Sequence, residues 1–387
     1  MNRNLVVAAA GAGKTQRIID DASNHINNGD SVLVVTYTTS NQRELSTRFE
    51  LASVEKNGYT IRGLFTFLLN DIIRPYQQCI FEDRLQAINF NKNGDPHKIN
   101  GRTIRGRAES LDCGGTNPDH YLTSCRTKAH TTYLSKLASR VLKQKKNLIV
   151  PRLERIYNHI YIDEVQDMVG WDYEVLKDLC KSKCLSITCV GDFRQTIYDT
   201  AITSKFPKRS KQKIEKFNSL KFVPENLTVC KRSVQSICNF ADKIHHSEGY
   251  SKTISEDVAI PDCIGKHVGV FFVRQSNAMA YINEYPTVVM LRQDIRSGGE
   301  LKDTQIRKIT FGKSKGLGFD RALVIPTKPY IKYLVGEHDV FKKDKTEISK
   351  NKLYVAATRA RYSLTFVLPD KQADNCNLEE WQPCPAT

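Results

Sequence analysis

The stretch LVVAAAGAGKTQ at residues 5–16 constrains this chain more than any other. Three apolar residues, Leu5–Val7, run into an Ala/Gly turn and then into Lys14-Thr15. Small residues at Ala10, Gly11, Ala12 and Gly13 let backbone N–H groups approach an anion, and a helix starting at Lys14 adds its dipole. Lys14 is placed for the β- and γ-phosphates of a nucleotide and Thr15 for Mg2+, with Gln16 completing the nucleotide-binding set. The strict phosphate-loop pattern opens on Gly, and Ala8 stands there instead. Taken alone, the stretch also reads as an ordinary tight strand-to-helix connection. A secretory-signal reading of Arg3, the apolar run and Ala-x-Ala fails, because the run is short and ends in Gly-Lys-Thr.

A second stretch, IYIDEVQDM at 160–168, decides between those readings. An apolar strand ending in two adjacent carboxylates puts Asp163 and Glu164 at the carboxyl edge of a sheet, where open α/β folds bind ligands. Asp163 can hold Mg2+ through its water shell, and Glu164 can polarise an attacking water. An acidic helix cap is the bland alternative. A Lys-Thr loop and a strand-Asp-Glu pair in one α/β chain favour nucleoside triphosphate hydrolysis over it.

Apolar runs at Leu5–Val7, Val32–Thr36, Ile160–Asp163, Ile187–Gly191, Val268–Val273, Thr287–Met290, Ala322–Ile325 and Leu364–Leu368 read as strands. Helical spacing between many of them predicts α/β domains with largely parallel sheets. A chain of 387 residues has room for two or three such domains. Residues 89–121, rich in Asn, Gly, Arg and Lys, read as an inserted surface element. The basic run TSKFPKRSKQKIEK, 203–216, reads as a linker between domains. A net charge of +16 points to a polyanionic partner such as nucleic acid. Eleven cysteines without a CxxC pair argue for free thiols in a reducing cytosol, hence a cytoplasmic protein. No segment is apolar for the roughly 18 residues a membrane span requires.

In order along the chain stand AAAGAGKT, VLVVTYTTSNQRELSTR, YTIRGLFTFLL, IYIDEVQDM, CVGDFRQTIY, CKRSVQSICNFAD, ITFGKSKGLGFDRALVI and LYVAATRAR. This succession resembles the motifs of UvrD/Rep-type superfamily 1 (1A) DNA helicases, from near residue 5 to near residue 367. The resemblance implies two RecA-like P-loop NTPase domains with a parallel sheet each and a small inserted subdomain. The implied boundaries are 1–80 and 156–205 for domain 1A, 81–155 for the 1B-like insert, and 206–387 for domain 2A with its 2B insertion largely absent. It implies ATP or another NTP with Mg2+, bound in a cleft with single-stranded DNA across the top. Gln195 would then sense the γ-phosphate, Arg232 and Arg359 would contact it from the second domain, and Gly316 would join the nucleotide set. Thr36, Tyr37, Thr38, Thr60, Arg62, Tyr198, Ser314 and Lys315 would face DNA. Arg62 stands where the family usually has His. Tyr37 and Tyr198 either stack on bases or are core aromatics with satisfied hydroxyls.

Departures from the family pattern cluster at the nucleoside. The family's Gln upstream of the loop has no counterpart before Leu5. Lys231 of Cys230-Lys231-Arg232-Ser233 replaces the aromatic that stacks on adenine, and Gly318 of Gly316-Leu317-Gly318-Phe319-Asp320 replaces a Glu that touches the sugar. Relaxed selectivity among bases and sugars is the expectation. After Tyr198, Asp199-Thr200-Ala201 replaces an aromatic followed by Arg-Gly. The leading expectation is an NTP-driven 3′–5′ translocase or helicase on single-stranded or tailed DNA. The alternative is a nucleotide- or DNA-end-sensing subunit that regulates a nuclease partner without processive unwinding. Compact UvrD-like subunits of Gabija-type antiviral defence systems are similar in form to that alternative.

Overall fold

Val32–Thr36 is a run of β-branched and apolar residues, and all five are buried. A strand covered on both faces needs that pattern, because helices pack on each side of a parallel sheet. The computed structural model describes residues 2–90, 94–111, 113–198, 204–256, 259–265, 267–342 and 346–383. It divides into two units: Met1–Val7, Lys14–Gly191 and Tyr198–Glu225, and then Ala8–Gly13, Asp192–Ile197 and Asn226–Thr387.

The first sheet and its helices are built from β1 (Arg3–Ala8), α1 (Lys14–Asn27), β2 (Val32–Thr36), α2 (Thr39–Leu51), β3 (Tyr59–Gly63), α3 (Thr131–Ile156), β4 (His159–Ile162), α4 (Trp171–Leu179), β5 (Ser186–Gly191), α5 (Ser210–Ser219) and β6 (Val223–Leu227). Six strands lie in the order β6-β1-β5-β4-β2-β3. The pairs β1–β5, β5–β4, β4–β2 and β2–β3 are parallel. Their carboxyl ends therefore share one edge, where Tyr37 follows β2 and Asp163 follows β4.

The second sheet comes with α6 (Gln235–Ile244), β7 (Gly269–Arg274), α7 (Ala278–Glu284), β8 (Val289–Arg292), β9 (Lys308–Thr310), β10 (Phe319–Val324), α8 (Lys328–Leu334), α9 (Glu347–Ala357), β11 (Ala360–Leu368) and β12 (Glu379–Glu380). Its order is β9-β8-β10-β11-β7-β12, parallel throughout. Ile237, Phe240, Leu291, Phe311, Leu353 and Phe366 are among its core residues. Two six-stranded parallel sheets are the two RecA-like folds of the α/β architecture.

The basic run is not a linker. Ser210–Ser219 is a helix whose Lys213 and Phe217, four residues apart, are fully buried. Phe217 meets Tyr173 and Phe222 edge-on, and such pairing outweighs the run's charge. Because β6 joins the first sheet beside β1, the first unit continues to Glu225, beyond the expected break at 206. Residues 81–155 belong wholly to this unit.

Within that insert, Ala87–Asn89 pairs with Lys128–His130, and a polar knot accompanies buried apolar residues such as Leu122, Leu134 and Leu137. Glu109 accepts from Tyr121 at 2.6 Å and from Arg140 at 2.6 Å, and pairs with Lys136 at 2.9 Å. His120 Nδ1–H donates to the Arg107 carbonyl at 2.8 Å, while Lys136 Nζ donates to its Nε2 at 3.0 Å. Burial, helped by Lys136 and His97, pushes the His120 imidazole down from 6.5 to about 4. Protonation therefore favours the unfolded chain, and it removes the acceptor that Lys136 needs. Stability from this group is fully present above about pH 6.5 and is lost as pH falls through about 4. Glu109, held down to about 2 despite burial by Arg140, Tyr121 and Lys136, stays ionised across that window. Thermal midpoints should fall between pH 6.5 and 4 in the wild type and less steeply in His120→Gln. Parallel slopes would refute the assignment.

Candidate functional site

The loop after β1 folds as a phosphate cradle requires. Gly11 and Gly13 take φ of +76° and +79°, conformations that favour glycine, and α1 begins immediately afterwards at Lys14. A Cβ on Gly11 would stand 2.8 Å from Arg232 Cβ and 2.9 Å from Cys230 Sγ, so the position excludes a side chain. Ala8, Ala9, Ala10 and Ala12 are buried. Ala8 is itself the last residue of β1, which explains why the glycine of the strict pattern is dispensable there. The Ala10 N–H donates to Tyr354 Oη at 3.2 Å, and the Ala12 N–H to the Ala9 carbonyl at 3.2 Å. Gln16 donates to Asp20 one turn along α1 at 2.8 Å and accepts from Arg48 of α2 at 2.9 Å.

Asp163 follows β4, and its N–H extends the ladder to the Val35 carbonyl at 2.8 Å. That register sets its nearly buried carboxylate beside Thr36, whose hydroxyl donates to Oδ2 at 3.4 Å. Oδ1 accepts from the Glu164 N–H at 2.9 Å. Glu164 is left-handed, φ +54° and ψ +39°, a conformation costly for a residue with a side chain. Its carboxylate accepts from Gln166 Nε2. Gln166 is fixed in turn: its carbonyl accepts from Lys213 Nζ at 2.6 Å, and its side chain packs against Gly191, where a Cβ would lie 2.4 Å from Oε1. Lys213 escaped the sequence reading because it sits in a run of exposed-looking basic residues.

In the second unit, Gln195 Nε2 donates to Asp192 Oδ2 at 2.8 Å. Tyr354 Oη donates to the same carboxylate oxygen at 3.1 Å while accepting from the Ala10 N–H. Arg194 pairs with Asp192 at 3.1 Å and Asp242 at 3.1 Å. Burial alone would lower its pKa, but Asp192, Tyr354 and Asp242 hold it above the ordinary arginine range. One network thus ties the loop backbone to the Gln195 side chain. Asp192, Arg194 and Tyr354 lie within quoted motifs, yet nothing in their spacing announces that they meet.

The two arginines differ. Arg359 is 1 % exposed, and its guanidinium donates to the carbonyls of Val355 at 3.0 Å, Leu317 at 3.0 Å and Ser314 at 3.5 Å. Arg232 is half-buried and reaches the Thr358 carbonyl at 3.4 Å. Gly318 lies beside it, its would-be Cβ 3.4 Å from Arg232 Nε and 3.7 Å from Arg361 Nε. Lys231 is exposed. Gly316 takes φ +85° with open space around it.

The expected DNA-facing residues fall into two groups. Tyr198 is 49 % exposed, and Tyr37, Thr60 and Lys315 are half-buried. Thr38 caps α2, accepting from the Asn41 N–H at 3.1 Å. Arg62 pairs with buried Asp71 at 3.0 Å. Thr36 is buried against Asp163, and Ser314 is buried with its hydroxyl donating to the Phe311 carbonyl at 2.8 Å. Asp199-Thr200-Ala201 lies outside the described residues. Among the described residues, no helix is long and apolar enough to cross a membrane.

DNA helicase II of Haemophilus influenzae is 24% identical over 374 residues, covering 85% of this chain and 49% of the relative. The chain thus spans about half the length of that curated relative. Among solved structures, the Arterivirus nonstructural protein 10 helicase is 14% identical, with a TM-score of 0.45 over 97% of this chain and 62% of the other. Its complex with DNA gives a TM-score of 0.43 at 14% identity, over 97% and 63% of the two chains. Residues 2–201, more than half of the chain, match the model of a family described as an AAA domain. The ordered motifs and the two parallel sheets agree with that match, and the chain belongs to this AAA domain family as a UvrD/Rep-type superfamily 1 member.

Proposed function

We propose that this chain is an NTP-driven motor on single-stranded DNA, a 3′–5′ translocase or helicase. The observation that carries the reading is the left-handed Glu164 beside Asp163, in the same unit as the helix that starts at Lys14 and Thr15. Backbone strain of that kind at a carboxylate pair is characteristic of catalytic sites. The residues fit a magnesium triphosphate: left-handed glycines lead into a helix start, with a hydroxyl at Thr15 and an acceptor-only carboxylate at Asp163. Thr15 and Asp163 would hold Mg2+, which when bound neutralises charge on the β- and γ-phosphates. Lys14 and the loop amides orient the phosphate tail. Glu164 takes the proton of the attacking water, and Gln195 orients that water. Arg232 and Arg359 stabilise charge on the transferring phosphoryl group.

Nucleotide selectivity is weak in this reading. Exposed Lys231 offers no aromatic face, and Gly318 offers no acceptor for a sugar hydroxyl. Losing one such polar contact removes about 1–3 kcal/mol of discrimination. ATP, GTP, CTP and dATP should therefore be hydrolysed with kcat/KM within about tenfold of one another, since a tenfold ratio is about 1.4 kcal/mol. A preference for ATP above about a hundredfold would sink the selectivity claim. Displacement of a strand from a 3′-tailed duplex tests the motor itself. NTP hydrolysis without displacement or directed movement would favour a sensing subunit with a nuclease partner.

A further inference from the structure

At the amino edge of the first sheet, away from the strand ends that carry Lys14 and Asp163, three ligating side chains converge. His25 lies in the last turn of α1, Asp30 in the turn before β2, and His159 opens β4. β4 and β2 are neighbours, with Val32 in register with His159. The two strand starts are locked together. The Ser31 N–H donates to Asn158 Oδ1 at 2.8 Å, and the Asn158 N–H donates to the Ser31 carbonyl at 2.8 Å. The imidazoles of His25 and His159 stack, their centroids 3.5 Å apart and their planes at 24°. His25 Nδ1 and His159 Nε2 address the same oxygen, Asp30 Oδ2, at 3.3 Å and 3.1 Å.

We propose that His25, Asp30 and His159 form a binding site for a divalent transition ion of the zinc class. All three ligating atoms lie within 4.8 Å of one another. Ligands on a tetrahedron at about 2.0 Å from a metal stand roughly 3.3 Å apart. Both nitrogen–oxygen edges already have that length. Two imidazoles and one carboxylate suit Zn2+, Co2+ or Ni2+ and leave a position for water, whereas Mg2+ prefers oxygen alone. His25, Asp30 and His159 are 37%, 33% and 16% exposed, so an ion can enter from solvent. Binding turns the rings out of their stack, because an ion lies near the plane of each imidazole it bonds. The role is a clamp rather than chemistry. α1 starts at Lys14 and β4 leads into Asp163, so an ion here ties together the far ends of two elements that carry the nucleotide residues. Metal bound only by the folded chain also raises its thermal midpoint.

The test is titration of the metal-free full chain, without nucleotide, first with Co2+ and then with Zn2+. The expected result is one Co2+ per chain, with the visible bands of a four-coordinate nitrogen/oxygen site and no thiolate charge-transfer band. Zn2+ displaces it and raises the melting temperature. His25→Ala and Asp30→Asn, both at half-exposed positions, should each weaken Zn2+ binding by at least the roughly 10–100-fold that lesser changes around metal sites cost. Far-UV circular dichroism of both variants confirms the fold. Unchanged affinity in folded His25→Ala, a thiolate band with the bound ion, or binding below one ion per chain would overturn the site.

Discussion

Replacing Glu164 by Gln lowers the turnover number for NTP hydrolysis by about 10²–10⁴-fold and leaves nucleotide affinity unchanged. Glutamine keeps the volume of the side chain and still meets Gln166, but its amide cannot take a proton from water. The left-handed backbone that presents residue 164 is set by the Asp163 contact and by the Gln166–Lys213 anchor, neither of which needs the charge. Binding and catalysis should therefore separate cleanly. Single-turnover hydrolysis beside equilibrium nucleotide binding makes the comparison. Hydrolysis that persists near the wild-type rate would move the general base elsewhere.

Arg232→Ala is the second large effect, a fall in kcat of about 10³–10⁵-fold with little change in thermal stability. The residue is half-buried, whereas Arg359 is 1 % exposed, so less of the packed interior rests on it. Arg359→Ala behaves differently. Its guanidinium is buried among three carbonyls, and truncation strands those acceptors at about 1–3 kcal/mol each where no water replaces the donor. Turnover and melting temperature should fall together there, and only turnover in Arg232→Ala. Kinetics and calorimetry on both variants check the contrast. Equal loss of stability in the two would show that Arg232 too is structural.

The eight strands read from the sequence are the inner four of each sheet. The other four strands of these two six-stranded sheets, β3, β6, β9 and β12, are the sheet edges. The cause is physical. Inner strands are covered on both faces and must be continuously apolar, as VLVVT is. Edge strands such as VPENL in β6 and KIT in β9 are half solvated and carry charge and proline, so no apolar run marks them. The Gly11–Thr15 stretch and the Asp163-Glu164 pair stand out in the sequence because the chemistry proposed for them demands fixed residue types at short range. The burial of Lys213, the Tyr354–Asp192–Gln195 network and the internal bonding of Arg359 do not. Each depends on which distant segments the fold brings together, and composition carries no trace of that.

Hydrolysis of ATP by the full chain, measured with and without single-stranded DNA, tests the central claim most directly. A motor on DNA predicts a basal rate that rises with added DNA to saturation, loses the stimulation as salt screens the +16 chain, and vanishes in Glu164→Gln. A rate indifferent to DNA at every concentration, or one retained by Glu164→Gln, would contradict it.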